Sequence, residues 1–136
     1  MEKITLDQDL KVFGIEVKTF PGGIGEAFDE LIEKTGDYSG ARNYYGVSSM
    51  NDDSKMIYKA VAEEKFDSEA EKYNYEESTI EKGRYLVEGL KDWRNKTGLI
   101  KDIFHKMLQD DRADKMKPCI EWYKNDDEML CMVKAK

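Results

Sequence analysis

Residues 118–133 read PCIEWYKNDDEMLCMV. Two β-prone runs, residues 119–124 and 129–133, flank Asn125-Asp126-Asp127, whose side chains favour turns, so the stretch predicts an antiparallel hairpin. With Asp126 and Asp127 as a two-residue turn, Lys124 faces Met129, Tyr123 faces Leu130, Trp122 faces Cys131 and Glu121 faces Met132. Alternation then puts Ile120, Trp122, Met129, Cys131 and Val133 on one side of the sheet, and Glu121, Tyr123, Leu130 and Met132 on the other. A slip of one residue would reverse that assignment.

Upstream of the hairpin, Ile100, Ile103, Phe104, Met107 and Leu108 form one helical stripe within residues 99–109, and residues 83–87, GRYLV, read as a strand. The first half of the chain has the same order. Phe13, Ile15 and Val17 alternate with polar residues and glycine in a strand over 11–19, which Pro21-Gly22-Gly23 ends. From Ile24 the spacing becomes helical, with Ile24, Phe28, Leu31 and Ile32 on one stripe and Gly36 as the stop. Residues 44–48 and 55–61 predict a second hairpin around Asn51-Asp52-Asp53-Ser54. The Glu- and Lys-rich residues 63–77 read as a solvated connection. The helices begin about 75 residues apart (24 and 99), as do the strands at 44 and 119, and the last strands about 73 (55 and 128), which is the signature of a duplicated unit.

These observations predict an α+β fold in a single domain over 1–136, with halves of about 1–62 and 75–136. Each half is a strand-helix-strand-strand unit, and together they form one antiparallel sheet. Both sides of the 118–133 hairpin are apolar, yet only two amphipathic helices are available, so they are expected to cover one side. The side with Trp122 carries no charge except at its end and is assigned to them. That leaves Glu121, Tyr123, Leu130 and Met132 lining a partly open ligand cleft.

Apolar residues make up 40% and charged residues 38% of the 136, too apolar a mixture for general disorder. The formal charge of −7 and pI near 4.9 argue against a surface that neutralises nucleic-acid phosphates, so direct nucleic-acid binding is not expected. There is no signal-like opening and no run of roughly 18 apolar residues, so the expected location is cytoplasmic, without membrane insertion. Cys119 and Cys131 lack CxxC spacing and have a single histidine for company, so they read as buried thiols; no metal and no cofactor are expected.

Glu121 is the residue that needs a reason, because an unpaired carboxylate among large apolar side chains costs several kcal/mol of desolvation, roughly. It either holds an organic cation beside aromatic faces, acts as a general acid or base, or faces solvent or a neighbouring Lys or Arg. Other candidates have plainer readings. His105 lies outside its helix stripe. Pro21-Gly22-Gly23-Ile24-Gly25 lacks both GxGxxG and GK[ST]. Glu26, Asp29, Glu30 and Glu33 form a solvated helix face. The methionines fill core or line an adaptable pocket, and Trp93 either roofs that pocket or packs on the second helix.

Four short pieces, Val12-Phe13-Gly14-Ile15, Tyr45-Gly46-Val47, TIEKGRY (79–85) and Pro118-Cys119-Ile120-Glu121-Trp122-Tyr123, occur in an order that resembles the GyrI-like small-molecule-binding domain. That family supplies the effector-binding domain of AraC-type and MerR-type bacterial transcription regulators, and the resemblance, with no helix-turn-helix residues in these 136, sets the expectation of a stand-alone form. The resemblance implies that Glu121 and Tyr123 face an aromatic pocket open to lipophilic cations. It likewise implies ligand-site roles for Tyr58, in the strand after the first turn, and Tyr85, the tyrosine that follows the glycine of KGRY; Trp93 joins them as a candidate. The partner it implies is a hydrophobic or cationic small molecule, bound without catalysis. Two alternatives come with the resemblance: a hydrolase of reactive cyclopropane toxins with Glu121 as base and Tyr123 or Trp93 orienting the substrate, and a protein-interaction module like the gyrase inhibitors.

Overall fold

The computed structural model describes residues 1–20, 22–37 and 41–136; Pro21, the first residue of the Pro-Gly-Gly turn, lies outside the described residues. Eight strands form one antiparallel sheet: β1 (Glu2–Leu6), β2 (Leu10–Glu16), β3 (Tyr44–Met50), β4 (Met56–Glu63), β5 (Glu76–Ile80), β6 (Gly83–Lys91), β7 (Cys119–Tyr123) and β8 (Glu128–Lys134). The helices are α1 (Ile24–Thr35), α2 (Glu69–Lys72) and α3 (Ile100–Leu108), with 3-10 turns at Trp93–Asn95 and Thr97–Leu99 leading into α3. The strand order is β1-β6-β8-β7-β3-β4-β2-β5.

That order has a pseudo-two-fold at its centre, where β3 of the first half pairs with β7 of the second. On either side the trios β3-β4-β2 and β7-β8-β6 run outward in matching order. The outermost strands exchange halves: β1, which precedes β2, lies on β6, and β5, which precedes β6, lies on β2. Neither strand was expected from sequence. Both are polar edge strands, EKITL and EESTI: β1 turns Ile4 and Leu6, each only partly buried, toward the interior cluster, and β5 turns Ile80.

Both main helices follow their predicted stripes. α1 buries Ala27 and Leu31 and lays Ile24 and Phe28 against Phe13, Tyr58, Ala60 and Ala62. It stops where Gly36 takes φ 69° and donates its N–H to the Ile32 carbonyl at 2.8 Å. α3 buries Phe104 and Met107 against Leu86, Met129, Cys131 and Val133. Tyr123 pairs with Tyr44, which pairs with Ala62, which pairs with Phe13. Directly paired residues share a face, so α1 and α3 cover the same side of the sheet. The other side carries Val12, Tyr45, Val61, Tyr85, Val87, Ile120 and Met132, buried with no helix of the described residues in their cluster. The sheet curls around that cluster, and the β1–β2 and β5–β6 turns meet where the Lys82 N–H donates to Asp9 Oδ1 at 2.8 Å.

Three expectations change. The turn between β7 and β8 has three residues rather than two, because Asn125 Oδ1 accepts both the Asp127 and Glu128 N–H groups, at 2.8 and 2.7 Å. Tyr123 therefore pairs with Met129 and Glu121 with Cys131, and β8 presents Met129, Cys131 and Val133 on the face of Glu121. The helices consequently cover Glu121 and Tyr123, while Trp122 faces the curled interior. Residues 63–77 are more than a solvated connection. Ala70, Tyr73 and Tyr75 pack on Phe13, and Glu69, fully buried, takes a bidentate contact from Arg42 at 2.6 and 2.7 Å plus the Lys65 N–H at 2.7 Å.

Candidate ligand site

Glu121 sits at the pseudo-two-fold, paired with Gly46 across the β3–β7 seam. Gly46 is also its counterpart across the pseudo-two-fold of the strand order, since the offset between Tyr44 and Cys119 carries one residue onto the other. One half thus supplies the carboxylate and the other an absence of side chain. A Cβ at Gly46 would lie 2.0 Å from Tyr58 Oη, 2.7 Å from Tyr58 Cζ and 3.1 Å from Glu121 Oε1. Only glycine lets the Tyr58 ring lie flat over β3 and reach the acid.

The Tyr58 hydroxyl donates to Glu121 Oε1 at 3.1 Å, the Tyr123 hydroxyl donates to the same oxygen, and the two hydroxyls are 3.3 Å apart. Aromatic rings surround this triangle. Phe20 turns back from the end of β2 and stacks on Tyr58, with centroids 5.0 Å apart and planes 11° from parallel. Phe28 of α1 and Trp93 both make edge-type contacts with Tyr123, with centroids 5.2 and 4.9 Å away. Glu121 is 7% exposed and Tyr58 1%, whereas Phe20, Phe28, Trp93 and Tyr123 are half-buried. The expected open cleft is therefore a closed aromatic stack whose outer rings reach the surface.

Burial raises the Glu121 carboxyl above the ordinary carboxylate range, while the Tyr123 and Tyr58 hydroxyls pull it back in part. Burial, then the charge of Glu121, raises both tyrosines well beyond a free phenol. The Cys119 and Cys131 thiols on the same face are pushed up to about 11 and about 12, by burial first and Glu121 second. Among the described residues no Lys, Arg or His is paired with Glu121. Nor is any group of three or more His, Cys, Asp or Glu side chains among them placed to hold a metal.

Glu121, Tyr123, Tyr58 and Trp93 are brought together, with Trp93 roofing Tyr123 and its indole N–H donating to the Asn125 carbonyl at 2.9 Å. Tyr85 is not part of the group. It lies on the opposite side of the sheet, because its neighbour Leu86 points at α3, and its hydroxyl donates to the Glu81 carbonyl. Phe20, Phe28 and Gly46 were not singled out as site residues. A glycine in the middle of a β-prone run was the one available signal, since it marks close approach of another group. His105 is exposed beside Gln109.

No protein-family model matches the chain, and no curated protein sequence matches it. Solved structures do. SAV2435, in a structure bound to tetraphenylphosphonium, superposes with a TM-score of 0.72 at 15% identity, covering 99% of this chain and 93% of that one. An integron cassette protein from Vibrio cholerae gives 0.72 at 10% identity over 99% and 95%. A hydrolase from Listeria innocua gives 0.63 at 11% identity over 99% and 90%. No helix of the described residues is long and apolar enough to cross a membrane. With its two covering helices, its curled antiparallel sheet and these likenesses, the chain has the fold of the GyrI-like small-molecule-binding domains.

Proposed function

We propose that this protein binds a hydrophobic organic cation at Glu121, without catalysis, as a sensor or a sequestering module. The observation behind the proposal is a buried carboxyl that takes hydroxyl donors from two tyrosines, has no cationic partner among the described residues and is walled by aromatic rings. A cation that displaces the half-buried outer rings gains the field of the carboxylate in a poorly solvated setting and about 0.5–2 kcal/mol from each well-placed aromatic face. An inorganic cation would have to shed its water for a single carboxylate, so the site selects charge that carries its own apolar surface. Tetraphenylphosphonium, bound by SAV2435, has that chemistry and is the natural probe. The unpaired Cys119 and Cys131 fit a cytoplasmic setting.

Titration with tetraphenylphosphonium, followed by tryptophan fluorescence from Trp93, is expected to saturate, and Glu121→Gln to weaken it at least tenfold. Equal binding by the variant would remove the carboxylate from recognition. A hydrolytic reading uses the same groups, with Glu121 as base for the attacking water and Tyr58 and Tyr123 orienting the substrate, and the hydrolase among the structural neighbours favours testing it. Turnover of a cyclopropane substrate by wild type but not by Glu121→Gln would replace binding with catalysis.

A further inference from the structure

We propose that a cation enters the Glu121 cluster in exchange for the proton that the carboxyl carries while the site is empty, so that each binding event releases one proton. The inference rests on the cation-binding reading above and adds its coupling to pH.

The geometry carries it. Glu121 is 7% exposed, beneath rings that exclude water from most of its surface. Its two donors are neutral hydroxyls converging on one oxygen. They favour the anion, yet supply no net charge, and removal from water opposes the anion more strongly than they support it. Among the described residues, every ionisable group facing the acid is neutral or would be negative. β7 contributes Cys119 and Tyr123, β8 contributes Cys131, β6 contributes Glu88 opposite Cys131, β4 contributes Tyr58, and β3 contributes Tyr44, whose hydroxyl donates to Asp37 at 2.8 Å. From α1 the acids Glu26, Asp29, Glu30 and Glu33 and the base Lys34 are all turned to solvent. In the segment leading to α3, Arg94 reaches Asp126 at 2.9 Å, and Asp92 is exposed, as are Lys101, Asp102, His105 and Lys106 of α3 itself.

With no cationic side chain beside it among the described residues, the ligand-free site is stable as the neutral acid hydrogen-bonded to its tyrosines. An arriving organic cation is the first positive charge in the cluster. It favours the carboxylate, the O–H bond of Glu121 breaks, and the proton passes to solvent buffer while the ligand's charge takes its place. The net charge of the site does not change. A neutral aromatic ligand brings no charge and displaces no proton. Acidification therefore disfavours cations selectively, which makes the same pocket a sensor of cation concentration relative to proton concentration.

The test is isothermal calorimetry of the intact protein with tetraphenylphosphonium from about pH 5 to about pH 9, each pH in two buffers of different ionisation enthalpy, with triphenylphosphine oxide as a neutral comparison. The expected result is a binding heat that differs between buffers by one buffer ionisation per cation. The Kd should fall about tenfold for each pH unit until Glu121 is ionised in the free protein, then level off. The phosphine oxide should show neither effect. Glu121→Gln, whose amide replaces a neutral acid of the same shape, should be buffer-independent and flat with pH; its circular dichroism and the wild-type calorimetry keep the test decisive if it folds poorly. Saturable wild-type binding with no buffer-dependent heat at any pH would overturn the exchange and leave cation binding standing. No saturable binding at any pH would overturn both.

Discussion

Gly46→Ala is the smallest change that tests how the site is assembled. The added methyl would sit 2.0 Å from Tyr58 Oη and 2.7 Å from Tyr58 Cζ, against a van der Waals contact of about 3.5 Å. Tyr58 has little room to retreat, since it is 1% exposed and Phe20 is stacked on its ring with centroids 5.0 Å apart. The ring must lift by about 1 Å or more, which separates its hydroxyl from Glu121 and presses Phe20 outward. Overpacking of a filled core costs about 1–3 kcal/mol, and loss of a hydrogen bond to the acid about 1 kcal/mol more. The expected destabilisation is about 2–4 kcal/mol by urea unfolding, with weaker tetraphenylphosphonium binding. Tyr58→Phe deletes the atom in closest conflict and leaves the ring, so Gly46→Ala should cost at least about 1 kcal/mol less in that background. A loss below about 0.5 kcal/mol in wild type, or equal losses in the two backgrounds, would refute the claim that Gly46 exists to admit Tyr58.

Other perturbations separate the remaining parts of the structure. The folded-state pKa of Glu121 is raised, so between the ordinary carboxylate value of about 4.3 and the folded value the native protein holds a proton that the unfolded chain has released. Stability therefore falls as pH rises through that window, by up to about 1.4 kcal/mol per pH unit, and Glu121→Gln should flatten the profile, gaining on wild type as pH rises. Thermal melts at about pH 4 and about pH 8 measure this, and parallel profiles would count against it. Glu69→Gln leaves the Arg42 side chain, nearly buried and among the described residues otherwise bonded only to the Glu63 carbonyl, without its anion, and should cost about 2–4 kcal/mol. Burial opposes ionisation of Glu69, but the Arg42 and Lys65 hydrogen bonds hold its carboxyl below the ordinary range. Its contribution is thus complete above that range and lost as pH falls through the folded value, which acid unfolding of wild type against the variant will show. Tyr85→Phe should lose about 1 kcal/mol with its hydrogen bond to the Glu81 carbonyl and leave tetraphenylphosphonium affinity within about twofold; a larger change in affinity would place Tyr85 in the ligand site after all.

The asymmetry at the pseudo-two-fold explains why a repeated architecture suits a single charged site. Two identical halves would bring two glutamates or two glycines together where β3 meets β7. Two carboxylates would repel, and two glycines would leave an unoccupied gap. Glu121 opposite Gly46 fills the position once, and the space that glycine leaves is taken by Tyr58 from β4.

Much of this was determined by local sequence. The stripes of α1 and α3 and the Gly36 stop follow from helical periodicity, and Glu121 shares a face with Tyr123 because strand side chains alternate; these preferences act over a few residues and need no partner. Tertiary structure decided the rest. Whether Cys131 or Met132 stands beside Glu121 depended on one residue in the turn, where the Asn125 side chain gathers two N–H groups. β1 and β5 are strands only because the opposite half offers each an edge, since their sequences bury too little to form strands alone. The site itself joins residues that lie far apart in the chain: Tyr58 and Glu121 meet 63 positions apart, over a glycine from a third strand. Spacing along a chain carries no record of such a meeting, because strand order and register, set by packing of the whole sheet, bring those side chains together.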